Sequence, residues 1–186
     1  MKLVLGISGS IAAYKAVDIL RRFQKDGHEA AVVMTAAATR FIAPLTFATF
    51  APGRVYSEMF APGQDPLLHI RLAQESDLLL VAPASADIIG KMANGIADDL
   101  LSTVFCAFHK RVVVAPAMNT RMWEAPAVKA NVQTLKKRGV HFVGPEEGRL
   151  ACGTVGLGRM TEPAEILVEI ARLLRRMPPK NTEKNP

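Results

Sequence analysis

No uninterrupted apolar run among the 186 residues approaches the roughly 18 that a membrane-crossing helix needs, so no transmembrane segment is expected. Only two cysteines are present, Cys106 and Cys152, which alone make neither a zinc site nor a disulfide framework. Aromatic residues are scarce at 6%, and none interleaves with the basic clusters at 136–138 and 175–176 as a nucleic-acid stacking surface would require. Those clusters fall at predicted helix carboxyl ends, where they complement the helix dipole. The net charge of +6 therefore gives no reason to expect a nucleic-acid partner. The G-x-G-x-x-G fingerprint is missing, and no acidic residue ends the second predicted strand to grip an adenosine ribose. Internal repeats and low-complexity segments are absent as well.

What is there is ordinary globular sequence, 49% hydrophobic and 22% charged, and long enough for one domain with a full core. The opening "MKLVLGISGS" runs into an amphipathic pattern without a cleavage-like segment. It reads as a first strand and not as a signal peptide, and the cytoplasm is the expected location. Apolar runs "KLVLGIS", "EAAVVMT", "DLLLVAPAS", "RVVVAPAMN" and "VHFVG" predict buried strands. After the first, Ser10 is placed to cap a helix whose apolar residues Ala13, Ala16, Val17, Leu20 and Phe23 recur at helical steps, with Gly27 ending it. Further helices are predicted at about 36–50, 86–108 and 126–138, and "PAEILVEIARLLRRM" forms the last. Cys106, inside the apolar run "LLSTVFCAF", is expected to be a small buried hydrophobe.

Strands alternating with helices give right-handed βαβ units. The expected architecture is α/β, a doubly wound parallel sheet in a three-layer, Rossmann- or flavodoxin-like single domain spanning residues 1–177. The tail at 178–186 lacks an apolar anchor and is expected to be disordered. In such sheets ligands bind beyond the carboxyl ends of the strands. Every unusual stretch lies at such an end: "SGSIA", "MTAAAT", "PASADIIGK" and "PAMNTRMW".

Gly9 and Ser10 open the first helix, where free N–H groups and the dipole favour a phosphate, although a plain capped turn fits equally well. Thr35 and Ser85 put two more hydroxyls at the same edge. Three hydroxyls suit a mononucleotide phosphate better than a pyrophosphate. Asn119 has an amide that donates and accepts at once, suited to a carboxylate or a flavin edge, yet a helix-capping asparagine is the commoner case. Met118, Met122 and Trp123 would make an apolar wall for a planar ring. His69, flanked by Leu68 and Ile70, has a side chain suited to general base work, or to a merely structural place. Adjacent Asp98 and Asp99 read as helical charges pointing to different faces. Cys152 lies in "GRLACGTVGLGRM", a glycine-shaped loop. No partner ligands suggest a metal, and the flanking glycines disfavour packing, which leaves a nucleophile or an acid.

The stretches "GISGSIAAYKA", "HIRLA", "APASADIIGKMANGIADDLLST", "PAMNTRMWEAPAV" and "ACGTVGLGRMTEP" together resemble the homo-oligomeric flavin-containing cysteine decarboxylases, from about residue 3 to residue 172. The resemblance is strongest to members that decarboxylate 4′-phospho-N-pantothenoylcysteine to 4′-phosphopantetheine in coenzyme A biosynthesis. It implies bound FMN, oxidation of the substrate thiol to a thioaldehyde, loss of CO₂, and re-reduction of the resulting enethiol. It implies His69 as the active-site base, Asn119 on the substrate carboxylate and Cys152 as proton donor. Gly9, Ser10, Ile11, Thr35, Ser85, Ala86, Asp87, Ile88 and Ala117 would contact FMN; at Asp87 monofunctional relatives often have asparagine. Arg149, Leu150 and Ala151 would form a flap over the substrate. The resemblance also implies a trimer or dodecamer with the site shared between subunits, and no metal. Two other readings stand beside it: a lantibiotic-type decarboxylase of peptide C-terminal cysteine, and a non-catalytic flavin-binding regulatory subunit.

Overall fold

The computed structural model describes residues 1–176. The expected disordered tail at 178–186 lies outside the described residues.

Strand β1 (Lys2–Ile7) leads through a 3₁₀ turn (Ile11–Tyr14) into α1 (Lys15–Lys25) and then β2 (Glu29–Met34). Short helices α2 (Ala36–Thr39) and α3 (Pro44–Ala48) precede the two-residue strand β3 (Val55–Tyr56). Next come α4 (Leu68–Glu75), β4 (Leu78–Ala84), α5 (Ala86–Asn94), α6 (Leu100–Ala107) and β5 (Arg111–Pro116). The remainder is α7 (Thr120–Glu124), α8 (Pro126–Lys137), β6 (His141–Phe142), a hairpin of β7 (Glu146–Arg149) and β8 (Val155–Arg159), and α9 (Pro163–Arg176).

The six-stranded parallel sheet has the order β3-β2-β1-β4-β5-β6, with β7 and β8 forming a separate antiparallel pair. The doubly wound α/β architecture expected from sequence is thus present. Strand side chains alternate between two cores, as the twofold repeat of an extended chain requires. Leu3, Leu5, Ile7, Leu78 and Leu80 pack with Ile19, Leu20 and Phe23 of α1 and Ile166 and Ile170 of α9. Val4, Leu79, Val81, Val112 and Val114 face Leu72, Ile88, Met92, Val104 and Leu135 on the opposite side. Burial on both faces explains why the strands read as unbroken apolar runs.

Two predicted helices are broken. The segment 36–50 divides before Pro44, which begins α3 because proline has no N–H to continue the preceding helix. The segment 86–108 divides at Gly95, whose φ of 69° closes α5 in the left-handed region. Asp98 and Asp99 therefore lie ahead of α6 and not within a helix. Asp99 caps α6 by accepting from Ser102 N at 2.8 Å, and both carboxylates meet Lys91 Nζ at 2.9 Å, so they converge where diverging faces were expected. Cys106 is exposed on α6 and not buried, because that short helix turns its apolar stripe of Leu100, Leu101 and Val104 inward instead. The short β3, α4 and α7 have no counterpart among the predicted elements, and the glycine-rich stretch expected to be a loop folds in part as the β7–β8 hairpin.

Candidate active site at the carboxyl edge of the sheet

The strand order reverses beside β1, so the turns leaving β1 and β4 part to opposite sides. That is where doubly wound sheets hold ligands. The edge is tied together by Ser8, which the sequence reading passed over. Its buried hydroxyl donates to Pro83 O at 2.8 Å and accepts from Ser85 N at 2.7 Å, joining the ends of β1 and β4. Its place one residue before Gly9 was the available signal.

Ser10, Thr35 and Ser85 each cap the helical segment that follows them, accepting from Ala12 N, Ala38 N and Ile88 N respectively. A capping hydroxyl uses its oxygen as acceptor and keeps its proton to donate. The three hydroxyls thus remain able to bind oxygens of an anion, and a phosphate end fits this edge. Gly9 has no room for a side chain, since a Cβ there would lie 2.6 Å from Ala37 Cβ. The turn can therefore press against α2 only with glycine at this position. Ile11 is exposed beside it. Ala86 and Asp87 begin α5 at the mouth, while the Ile88 side chain is buried in the core and leaves only its backbone toward the edge. Ala117 is buried, its N–H donating to Ala84 O at 3.0 Å.

Asn119 caps α7, its Oδ1 accepting from Arg121 N at 2.9 Å. Its Nδ2 donates to Cys152 Sγ at 3.2 Å. The capping role and a site role therefore coexist on opposite ends of one amide. Cys152 is brought there by the hairpin, where Arg149 ends β7 and half-buried Leu150 and exposed Ala151 lead into the tip. Leu150 N donates to Thr154 O at 2.8 Å and Gly153 N to Leu150 O at 2.9 Å, so the tip is internally closed. Arg159 fastens the hairpin base to Glu146 at 2.9 Å, and Lys15 of α1 reaches Glu162 just beyond it at 2.7 Å. Cys152 Sγ also lies 3.1 Å from Thr154 Oγ1. Hydrogen bonds from Thr154, and then from Asn119, hold the exposed Cys152 thiol below its ordinary pKa, because they favour the thiolate.

His69 lies in the first turn of α4. Its Nδ1 is buried without a hydrogen-bond partner. Within one chain the structure joins Asn119 with Cys152 and sets the three hydroxyls after β1, β2 and β4, and no hydrogen bond among the described residues links His69 to either group.

Fold and edge together define a doubly wound α/β ligand-binding protein with a paired amide and thiol at its mouth. The Flavoprotein family model matches residues 1–175, and the chain belongs to that family. It is 46% identical over 167 residues to the coenzyme A biosynthesis bifunctional protein CoaBC of Vibrio vulnificus (strain YJ016), covering 89% of this chain and 42% of that protein. The corresponding protein of Bacillus subtilis (strain 168) is 46% identical over 166 residues, covering 88% and 41%. The chain thus spans about two-fifths of the length of these relatives. Among solved structures, a PPC decarboxylase mutant complexed with pantothenoylaminoethenethiol superposes with a TM-score of 0.81 at 32% identity, covering 95% of this chain and 98% of that one. The FMN-binding protein AtHal3 gives 0.80 at 32% identity, with the same coverage.

Proposed function

We propose that this chain is an FMN-dependent decarboxylase that converts 4′-phospho-N-pantothenoylcysteine to 4′-phosphopantetheine. The observation that carries the reading is the Asn119–Cys152 pair held at the carboxyl edge of the sheet. Similarity to a PPC decarboxylase complexed with an enethiol, and to CoaBC proteins, supports the substrate. Similarity to AtHal3 supports FMN, whose phosphate would be held by Gly9, Ser10, Thr35 and Ser85, with Ile11, Ala86, Asp87, Ile88 and Ala117 bordering it.

When bound, FMN supplies a two-electron acceptor that later returns the electrons to the substrate. His69 takes the proton of the substrate thiol. The free N–H of Asn119 Nδ2, beyond the one engaged with Cys152, holds the substrate carboxylate until CO₂ leaves. Cys152 then delivers its proton to the enethiol carbon, a transfer eased by the hydrogen bonds that stabilise the thiolate it becomes. Arg149, Leu150 and Ala151 at the hairpin tip cover the substrate and exclude water.

A homo-oligomer, trimer or dodecamer, that shares the site between subunits belongs to the same proposal. It is supported by the lack of any hydrogen bond among the described residues between His69 and the Asn119–Cys152 pair, and by exposed Ile11, Tyr14, Phe41, Leu45, Phe60 and Leu67. Among the described residues no helix is long and apolar enough to cross a membrane, and a cytoplasmic location is proposed with the activity.

The test is to load the protein with FMN and supply 4′-phospho-N-pantothenoylcysteine in one arm and a peptide ending in cysteine in the other. Release of CO₂ with 4′-phosphopantetheine in the first arm alone is expected. Turnover of the peptide alone would transfer the assignment to peptide decarboxylation, and no turnover in either arm would overturn it.

A further inference from the structure

The alternating glycines of "GTVGLGRM" are used by none of the roles above, and the structure gives them one. The β7–β8 pair is separate from the main sheet, so something must fix where it sits. On β8, Gly156 and Gly158 are two residues apart and present one face, while Leu157 presents the other and packs against the second core. That glycine face lies on the segment that follows β5. Met118 N donates to Gly158 O at 3.0 Å. A Cβ at Gly158 would lie 2.1 Å from Met118 O, a backbone atom with nowhere to go, and the φ of 149° there also disfavours a side chain. At Gly156 a Cβ would lie 2.5 Å from Thr120 Oγ1, one residue past Asn119. Thr120 Oγ1 is itself buried with no hydrogen-bond partner, so its face is used for contact and not for bonding.

We propose that Gly156 and Gly158 are positioning residues whose missing side chains let β8 dock on Met118–Thr120, and that this docking sets the Asn119–Cys152 contact. The tip from Leu150 to Thr154 is closed by its own hydrogen bonds, so a displacement of β8 carries Cys152 with it. The Asn119 Nδ2 to Cys152 Sγ contact is 3.2 Å, and relieving a 2.5 Å clash at Gly156 moves β8 by a distance comparable to what that contact can tolerate. The catalytic meaning of the docking rests on the roles proposed for Asn119 and Cys152. The docking itself is read without flavin or substrate.

The experiment follows the pH dependence of iodoacetamide alkylation of Cys152, in a Cys106→Ser background that leaves one thiol. Gly156→Ala is expected to raise the alkylation midpoint by the same amount as Asn119→Ala, with a rate at pH 7 about two- to tenfold lower, as loss of one hydrogen bond to a thiolate implies. Combining the two changes should add nothing, since both act through one contact. Thr120→Ala, which removes the obstructing hydroxyl, should restore the midpoint in Gly156→Ala. A folded Gly156→Ala protein with the parent midpoint would overturn the proposal. So would a folded Gly156→Ala/Thr120→Ala protein that keeps the raised midpoint, and this second variant carries the test if the single one does not fold. Failure of the decarboxylase assay leaves this measurement intact, so the two readings fail separately.

Discussion

Asn119 Nδ2 lies 3.2 Å from Cys152 Sγ, although the two are 33 positions apart and follow strands of different sheets, β5 and β7. The amide oxygen is fixed by Arg121 N, so the nitrogen can point only toward the thiol side. One end of the side chain thereby orients the other.

That arrangement predicts the titration of Cys152. A thiol whose anion receives hydrogen bonds loses its proton at lower pH than the ordinary value of about 8.5. Thr154 is the larger cause and Asn119 the smaller. Thr154→Val should therefore raise the midpoint of alkylation more than Asn119→Ala does, both toward the ordinary value. Equal midpoints in all three proteins would show that neither bond acts on the thiol.

Cys152→Ser should keep flavin and lose CO₂ from the substrate, yet stop at the enethiol, because a serine hydroxyl is a far weaker acid than this thiol. Mass spectrometry of the product separates the enethiol from 4′-phosphopantetheine. Full conversion by the variant would remove Cys152 from the last step.

For His69→Asn the expected outcome is loss of thiol oxidation by at least about a hundredfold, the usual scale of general base catalysis. The fold should remain, since the Nδ1 of His69 bonds to nothing that the change would strand. Mixing this variant with Cys152→Ser subunits tests the shared site. Recovered activity in the mixture is expected if one subunit's His69 serves another's pair.

Much of this was legible in the sequence, and for physical reasons. Strands buried on both faces read as continuous apolar runs, and the turns leaving them advertised the carboxyl edge. Pro44 and Gly95 are also visible as breaks, but the apolar periodicity of 36–50 and 86–108 runs across them. The hairpin was hidden because Gly148, Gly153, Gly156 and Gly158 supply no alternating apolar pattern, and its pairing needs no side chains there. Ser8 was hidden because a short polar residue next to Gly9 looks like turn sequence until both of its partners are in place. His69 shows the limit in the other direction: its residue type is legible, while no hydrogen bond among the described residues shows what its buried Nδ1 serves.

At Gly9 the edge depends on a missing side chain. A Cβ there would meet Ala37 Cβ at 2.6 Å, well inside contact. Gly9→Val should force the turn away from α2 and scatter the hydroxyls of Ser10 and Thr35. The expected cost is about 1–3 kcal/mol of stability, typical of overpacking, together with loss of bound flavin. Ala37→Gly removes the atom in the way and should recover part of both in the double variant. Recovery of stability without recovery of flavin would mean that the turn conformation, and not its contact with α2, governs binding.

Lys91 gives the last prediction, and its sign is fixed by the charges around it. Burial opposes its ammonium, but hydrogen bonds to Asp98 and Asp99, with Asp87 farther off at 3.7 Å, outweigh that and raise its pKa. A raised lysine pKa contributes stability that is complete below about 10.5 and is lost only in stronger alkali. The Asp98 carboxyl is held below its ordinary value by the same Lys91, so its share is present at neutral pH and is lost as pH falls below about 4. Lys91→Met should leave Asp98 and Asp99 facing each other ahead of α6 and loosen the link between α5 and α6. With Lys91 only partly exposed, a loss of about 1–2 kcal/mol is expected, between the values for surface and buried pairs. The difference between parent and variant, followed by urea unfolding, should be flat from pH 6 to 9 and shrink toward pH 3. A difference that persisted undiminished in acid would assign the effect to packing of the Lys91 stem and not to its charge.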